Sequence, residues 1–183
     1  MTGPADFTFR DGERVIAALS MAADQTKKGT LAIAVSKTGF GLRFNVDPHR
    51  ELSTRAGRKF ARLAEGDEIV GVEKLRKHDL LAVVTVEGRA LVTFADEVAE
   101  LANPGRGVTV IKVEGSDMVM AFALGTDKQD TLLIAETEGG KKIEIGPGHD
   151  EVVGRGGKGR VIAKRTKIVR AYPPEQPGGK LLN

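Results

Sequence analysis

Leu31-Ala-Ile-Ala-Val35, Leu81-Ala-Val-Val-Thr85 and Leu132-Leu-Ile-Ala135 are apolar runs that open three copies of one unit. A glycine turn follows each run, at Gly39, Gly88 and Gly139-Gly140, and then comes a second short strand. Next stands a corner that joins glycine to a cation: Gly57-Arg58, Gly105-Arg106 and Gly157-Lys158. The copies close on Glu65-Gly-Asp-Glu-Ile-Val70, Glu114-Gly-Ser-Asp-Met-Val119 and Lys164-Arg-Thr-Lys-Ile-Val169. Asp11-Gly-Glu-Arg-Val-Ile16 matches this closing strand with no unit ahead of it, so the chain is expected to begin within a unit. Anchoring on Glu13, Glu68, Asp117 and Lys167 gives spacings of 55, 49 and 50 residues, a period that marks a repeat architecture.

The strands within each unit are short, rich in Val, Ile, Leu and Thr, and punctuated by Gly, Asn, Asp and Pro. Their opening runs are continuously apolar rather than alternating, which suits strands covered on both faces. The nearest approach to a helix is Asp96 to Ala102, good for one or two turns. About four strands per unit describe the blade of a propeller-like array, in which neighbours must stack to bury their faces. The expectation is an all-β chain with repeats at about 31–80, 81–130 and 131–172, a partial repeat at 7–30, and a flexible tail at 173–183.

Composition narrows the function. Cysteine is absent, which excludes disulfides, cysteine-ligated zinc, iron–sulfur clusters and thiol catalysis. No apolar run approaches the ~18 residues of a membrane span, and Val15 to Ala23 follows Asp11 and Glu13 rather than a basic flank. A cytoplasmic protein without membrane partners is expected. The net charge is only +3, but it is unevenly placed. Residues 81–130 carry four basic and eight acidic groups; residues 131–183 carry ten and six. From Val152 to Pro174 there are seven cations and no anion: Arg155, Lys158, Arg160, Lys164, Arg165, Lys167 and Arg170. Such a field attracts phosphate and displaces its counterions.

The richest corner, Val153 to Arg160, reads VGRGGKGR. Glycine allows backbone amides close to a phosphate, and Arg adds a bidentate fork. One cationic corner per unit would space positive charge around a rim, which binds and bends a duplex through its backbone rather than its bases.

The period, the glycine turn and this corner together resemble the C-terminal DNA-wrapping domain of the bacterial gyrase A and topoisomerase IV A subunits. That family carries a basic box of the form QRRGGKG, matched here at Arg155, Gly156, Gly157, Lys158 and Gly159, with Val153 and Gly154 in the first two places. Thr54 to Lys59 resembles a degenerate box. The resemblance implies a β-pinwheel, a propeller variant whose adjacent blades exchange strands, with double-stranded DNA along its outer edge. It implies DNA contacts at Arg55, Arg58, Lys59 and Arg62, at Arg106, and at Arg155, Gly156, Gly157, Lys158, Gly159 and Arg160, extended by Lys164 and Arg165. It also implies a place in an ATP-dependent type II topoisomerase beside a breakage-reunion domain and an ATPase subunit, in nucleoid-associated cytoplasm. The alternative is a propeller-like scaffold for protein partners, with the acidic middle copy as its docking surface.

Other chemistry fails on context. Gly154 to Gly159 also fits G-x-G-x-x-G, but strand and Pro-rich tail follow where a helix and a ribose-binding acid are needed. Lys158 is followed by Gly159, not the Ser or Thr of a Walker loop. Tyr172 lacks an acidic cluster beside it and is read as a strand-end aromatic. His49, His78 and His149 have no metal-ligand spacing and are read as surface or turn residues. Phe7, Phe9, Phe40, Phe44, Phe60, Phe94 and Phe122 are read as blade core rather than base-stacking platforms. Neither a catalytic residue nor a cofactor is expected in this chain.

Overall fold

The computed structural model describes residues 12–51, 57–77 and 79–174. In chain order the strands are β1 (Leu31–Ser36), β2 (Phe40–Asn45), β3 (Ile69–Lys74), β4 (Leu80–Thr85), β5 (Arg89–Phe94) and β6 (Val108–Thr109). They continue with β7 (Val119–Gly125), β8 (Leu133–Thr137), β9 (Lys142–Ile145), β10 (Arg160–Val161) and β11 (Ile168–Tyr172). The described helix is limited to two 3-10 turns, Asp47–His49 and Ala95–Glu97.

The three opening runs become the central strands β1, β4 and β8. Each pairs antiparallel across its glycine turn with β2, β5 or β9, and on its other side with the closing strand of its own repeat, β3, β7 or β11. The fourth strand of a sheet comes from the next repeat: β6 of repeat two pairs with β2, and β10 of repeat three pairs with β5. The sheet orders are therefore β3-β1-β2-β6, β10-β5-β4-β7 and β11-β8-β9. This is the strand exchange of a β-pinwheel. The third sheet has three strands among the described residues.

Ladder register defines the true equivalences. Ser36 faces Ile69, Thr85 faces Val119 and Thr137 faces Ile168, with an irregularity beside each pairing. Glu68 therefore corresponds to Met118 and Lys167, one place from the Asp117 expected by eye. Charges on an exposed turn are not held in register by packing, whereas the apolar residue after them is.

Adjacent sheets stack through the faces of the central strands. β4 is buried along its whole length. Its Leu81 and Val83 pack with Ile33 and Val35, while Leu80, Ala82 and Val84 pack with Leu133, Ala135 and Ile168. Each Leu, Ile or Val so buried contributes about 1.5–3 kcal/mol, which is why a run without polar alternation is tolerated there. Hydrogen bonds follow the same stacking: Val119 N–H donates to Lys37 O at 2.9 Å, and Ile168 N–H to Val86 O at 2.8 Å.

Two sequence expectations need adjustment. Residues 12–20 form no strand, although Arg14 still reaches Glu68 at 2.9 Å. Phe44 and Phe122 are core, but Phe94, the last residue of β5, keeps half its surface exposed. His49 lies in the Asp47–His49 turn, as read, half-buried against Phe44 and Phe60. Phe7, Phe9, His78 and the tail from 175 lie outside the described residues.

Candidate nucleic-acid interface

The corners are built by close backbone approach. Gly159 has φ +71°, and a Cβ there would collide with the Ala90 carbonyl of β5. Only glycine lets the chain turn this tightly and still lay β10 against the neighbouring sheet. Gly107 has the same role beside Gly41, with φ +80°.

Successive corners are linked in series. Arg62 N–H, four residues past Arg58, donates to Gly105 O at 2.9 Å; Lys112 N–H, six residues past Arg106, donates to Gly157 O at 2.8 Å. Each corner is thus stapled to the segment leaving the one before it.

The side chains around these corners divide into two groups. Arg155 is exposed but held by the backbone: its Nε donates to Glu97 O at 2.8 Å and its Nη1 to Thr109 O at 3.1 Å, while its amide donates to Glu97 Oε2 at 3.1 Å. The Gly156 amide is also committed, donating to Val110 O at 2.6 Å. Gly157 offers its carbonyl to Lys112, and Gly159 offers its carbonyl to Arg89 Nη1 at 3.3 Å. Lys158 stands 3.0 Å from Glu114 Oε1, with Lys112 3.6 Å from the same oxygen. The hydrogen bond from Lys158, with the charges of Lys158 and Lys112, holds the Glu114 carboxyl below its ordinary pKa. Arg160 clasps Asp150, its Nε 2.7 Å and its Nη2 2.6 Å from Oδ1. The Arg106 Cζ lies 3.8 Å from the centroid of the Phe40 ring, a cation–π contact, and the residue is exposed.

The second group is open. Arg58, Lys59 and Arg62 are exposed beside Phe60, which stacks on Phe44 at 4.6 Å, and they form no salt bridge among the described residues. Burial and then the Arg58 charge push the His49 imidazole below its ordinary pKa, so it adds no cation there near neutrality. Lys164 and Arg165 are exposed as well. Arg55 lies outside the described residues. Sequence reasoning missed Arg89, which opens β5, and Arg43, which sits within β2; neither belongs to a motif. Arg43 donates to the carbonyls of Val98 and Asp96, and no local pattern signals that role.

The family described as DNA gyrase C-terminal domain, beta-propeller, matches residues 32–76 and 79–124. The DNA gyrase A protein of Aminobacterium colombiense is 31% identical over 156 residues, covering 84% of this chain and 18% of that protein. The corresponding gyrase A protein of Helicobacter pylori is 30% identical over 158 residues, with 85% and 18% covered. This chain therefore spans less than a fifth of these relatives. Among solved structures, the C-terminal domain of DNA topoisomerase IV superposes with a TM-score of 0.71 at 20% identity, covering 81% of this chain and 47% of that one. The DNA gyrase A C-terminal domain gives 0.64 at 17% identity, covering 81% and 50%. The exchanged strands, the repeat and these matches agree: the chain belongs to the DNA gyrase A C-terminal domain family and has the fold that this domain shares with the topoisomerase IV C-terminal domain.

Proposed function

We propose that this chain binds duplex DNA through its sugar-phosphate backbone and bends it along the corner edge. The observation that carries this reading is the serial link from Arg62 to Gly105 and from Lys112 to Gly157, which ties each cationic corner to the segment leaving the one before it. Phosphate contact of this kind is independent of base sequence. The reading takes residues 1–172 as one DNA-binding domain in repeats 31–80, 81–130 and 131–172, with 7–30 a partial repeat. It makes the domain an accessory of the A chain of a type II topoisomerase in the cytoplasm. There it presents a bent segment to a breakage-reunion domain that works with an ATPase subunit.

The test is duplex binding as a function of salt. Neutralising about five to eight phosphates gives a logarithmic slope of roughly −4.5 to −7, the same for unrelated sequences. Binding that hardly changes between low and moderate salt overturns the reading. The second reading, a protein-docking scaffold, draws on the pairing of Lys158 with Glu114 and of Arg160 with Asp150, which leaves less free charge than the box suggests.

A further inference from the structure

In repeats one and two the closing turn supplies its own carboxylate. Asp67 Oδ1 accepts the amides of Thr38 at 3.0 Å and Glu68 at 2.9 Å, and its Oδ2 accepts the Thr38 hydroxyl at 2.6 Å. Asp117 Oδ1 accepts the amides of Glu87 and Met118 at 2.9 and 2.8 Å. The register-equivalent residue of repeat three is Thr166, and the carboxylate now comes from the opposite side of the join. Glu138, on the β8–β9 hairpin, places Oε2 3.2 Å from the Lys167 amide and 3.4 Å from the Thr166 hydroxyl. The hairpin stays tied to the closing strand through Glu138, and the turn carries no acid of its own. It reads Lys164-Arg165-Thr166-Lys167.

The backbone of that turn gives a second, independent sign. Arg165 has φ +59° and is the non-glycine residue with positive φ among those described. Its register equivalent in repeat one is Gly66, at φ +75°. An L side chain here crowds the following carbonyl, a cost that glycine avoids. Strain of this sort persists where the side chain has a use. The use is not internal, because the side chains of Lys164 and Arg165 make no hydrogen bond or ion pair among the described residues. Lys167, by contrast, pairs with Glu87 at 3.3 Å.

The position of the turn in the repeat bears on the same point. Glu114, at the closing turn of repeat two, touches Lys158 of the next corner, and Lys164-Arg165 holds the equivalent place in repeat three. In repeat two that neighbour neutralises a corner cation; in repeat three it adds two cations.

Resting on the reading of this edge as a duplex-binding surface, we propose that Lys164-Arg165 is a phosphodiester-binding turn and the main cationic contact of repeat three, ahead of the box residues Arg155 and Lys158. Arg165 then trades local backbone stability for a bidentate fork on a phosphate.

The experiment measures duplex affinity against salt, together with melting temperature, for the unaltered protein and for Arg165→Gly and Arg165→Lys. Arg165→Gly is expected to melt higher, to bind about fivefold more weakly at low salt and to flatten the logarithmic slope by about 0.9. Arg165→Lys, which keeps the charge and the strain, is expected to retain most of the affinity. If the unaltered protein binds and Arg165→Gly binds equally well, or if Arg165→Gly melts lower, the proposal is overturned and the duplex-binding reading survives. Absence of duplex binding by the unaltered protein overturns both.

Discussion

Lys158 Nζ lies 3.0 Å from Glu114 Oε1, joining the corner of repeat three to the closing turn of repeat two. The two belong to different repeats, yet each sets the charge that the other presents to a partner. An acidic middle repeat therefore does more than dilute the basic edge; it holds back a named cation on it.

Replacing Glu114 with Gln should free Lys158 and Lys112 for phosphate. The expected outcome is tighter duplex binding and a logarithmic salt slope steeper by about 0.9 for each phosphate gained. Both partners of the ion pair are more than half exposed, so the melting temperature should not move. An unchanged slope would show that these cations stand away from the DNA path.

Arg155→Ala separates motif from mechanism. The box pattern makes this arginine a DNA contact, whereas its guanidinium is held by the carbonyls of Glu97 and Thr109. Loss of those bonds should cost about 1 kcal/mol of stability with the salt slope nearly intact. A large drop in slope with unchanged melting would reverse that assignment.

Gly159→Ala should be costly for a backbone reason. A Cβ at φ +71° meets the Ala90 carbonyl, so β10 cannot stay on β5 without a shift. The expected destabilisation exceeds about 1 kcal/mol, with faster amide exchange where β10 and β5 pair.

Asp67 should make stability fall in acid. Burial on its own raises its pKa, but the hydrogen bonds from Thr38, Ser36 and the Thr38 and Glu68 amides outweigh it and leave the folded pKa below 3.8. A folded pKa below the unfolded one means the contribution is complete above about pH 4 and disappears as pH falls through the folded value. Denaturation of the unaltered protein and Asp67→Asn should differ by about 1–3 kcal/mol at neutral pH and converge below pH 3.8. A gap that persists in acid would mean that the Asp67 charge is not what ties the turn to the hairpin.

Much of the architecture was legible in the chain alone. Runs such as Leu80-Leu-Ala-Val-Val-Thr85 need cover on both faces, and glycines at 39, 88 and 140 supply the turns that antiparallel pairing requires. The repeat, the all-β class and the positions of the corners follow from those local demands. Apolar pattern and turn chemistry are properties of neighbouring residues and can be read without knowing the fold.

Partnership is another matter. A two-residue strand such as Arg160-Val161 states that it needs a ladder, not that the ladder is β5 of the preceding repeat. Arg155 and Glu97 meet across 58 residues, and Lys158 and Glu114 across a repeat boundary. Which cations are spent on carbonyls and carboxylates, and which are left at Arg58, Lys59, Lys164 and Arg165, was decided by stacking. Coulomb and hydrogen-bond energies depend on distance in space, and only the packed sheets bring residues far apart in the chain within 3 Å of one another.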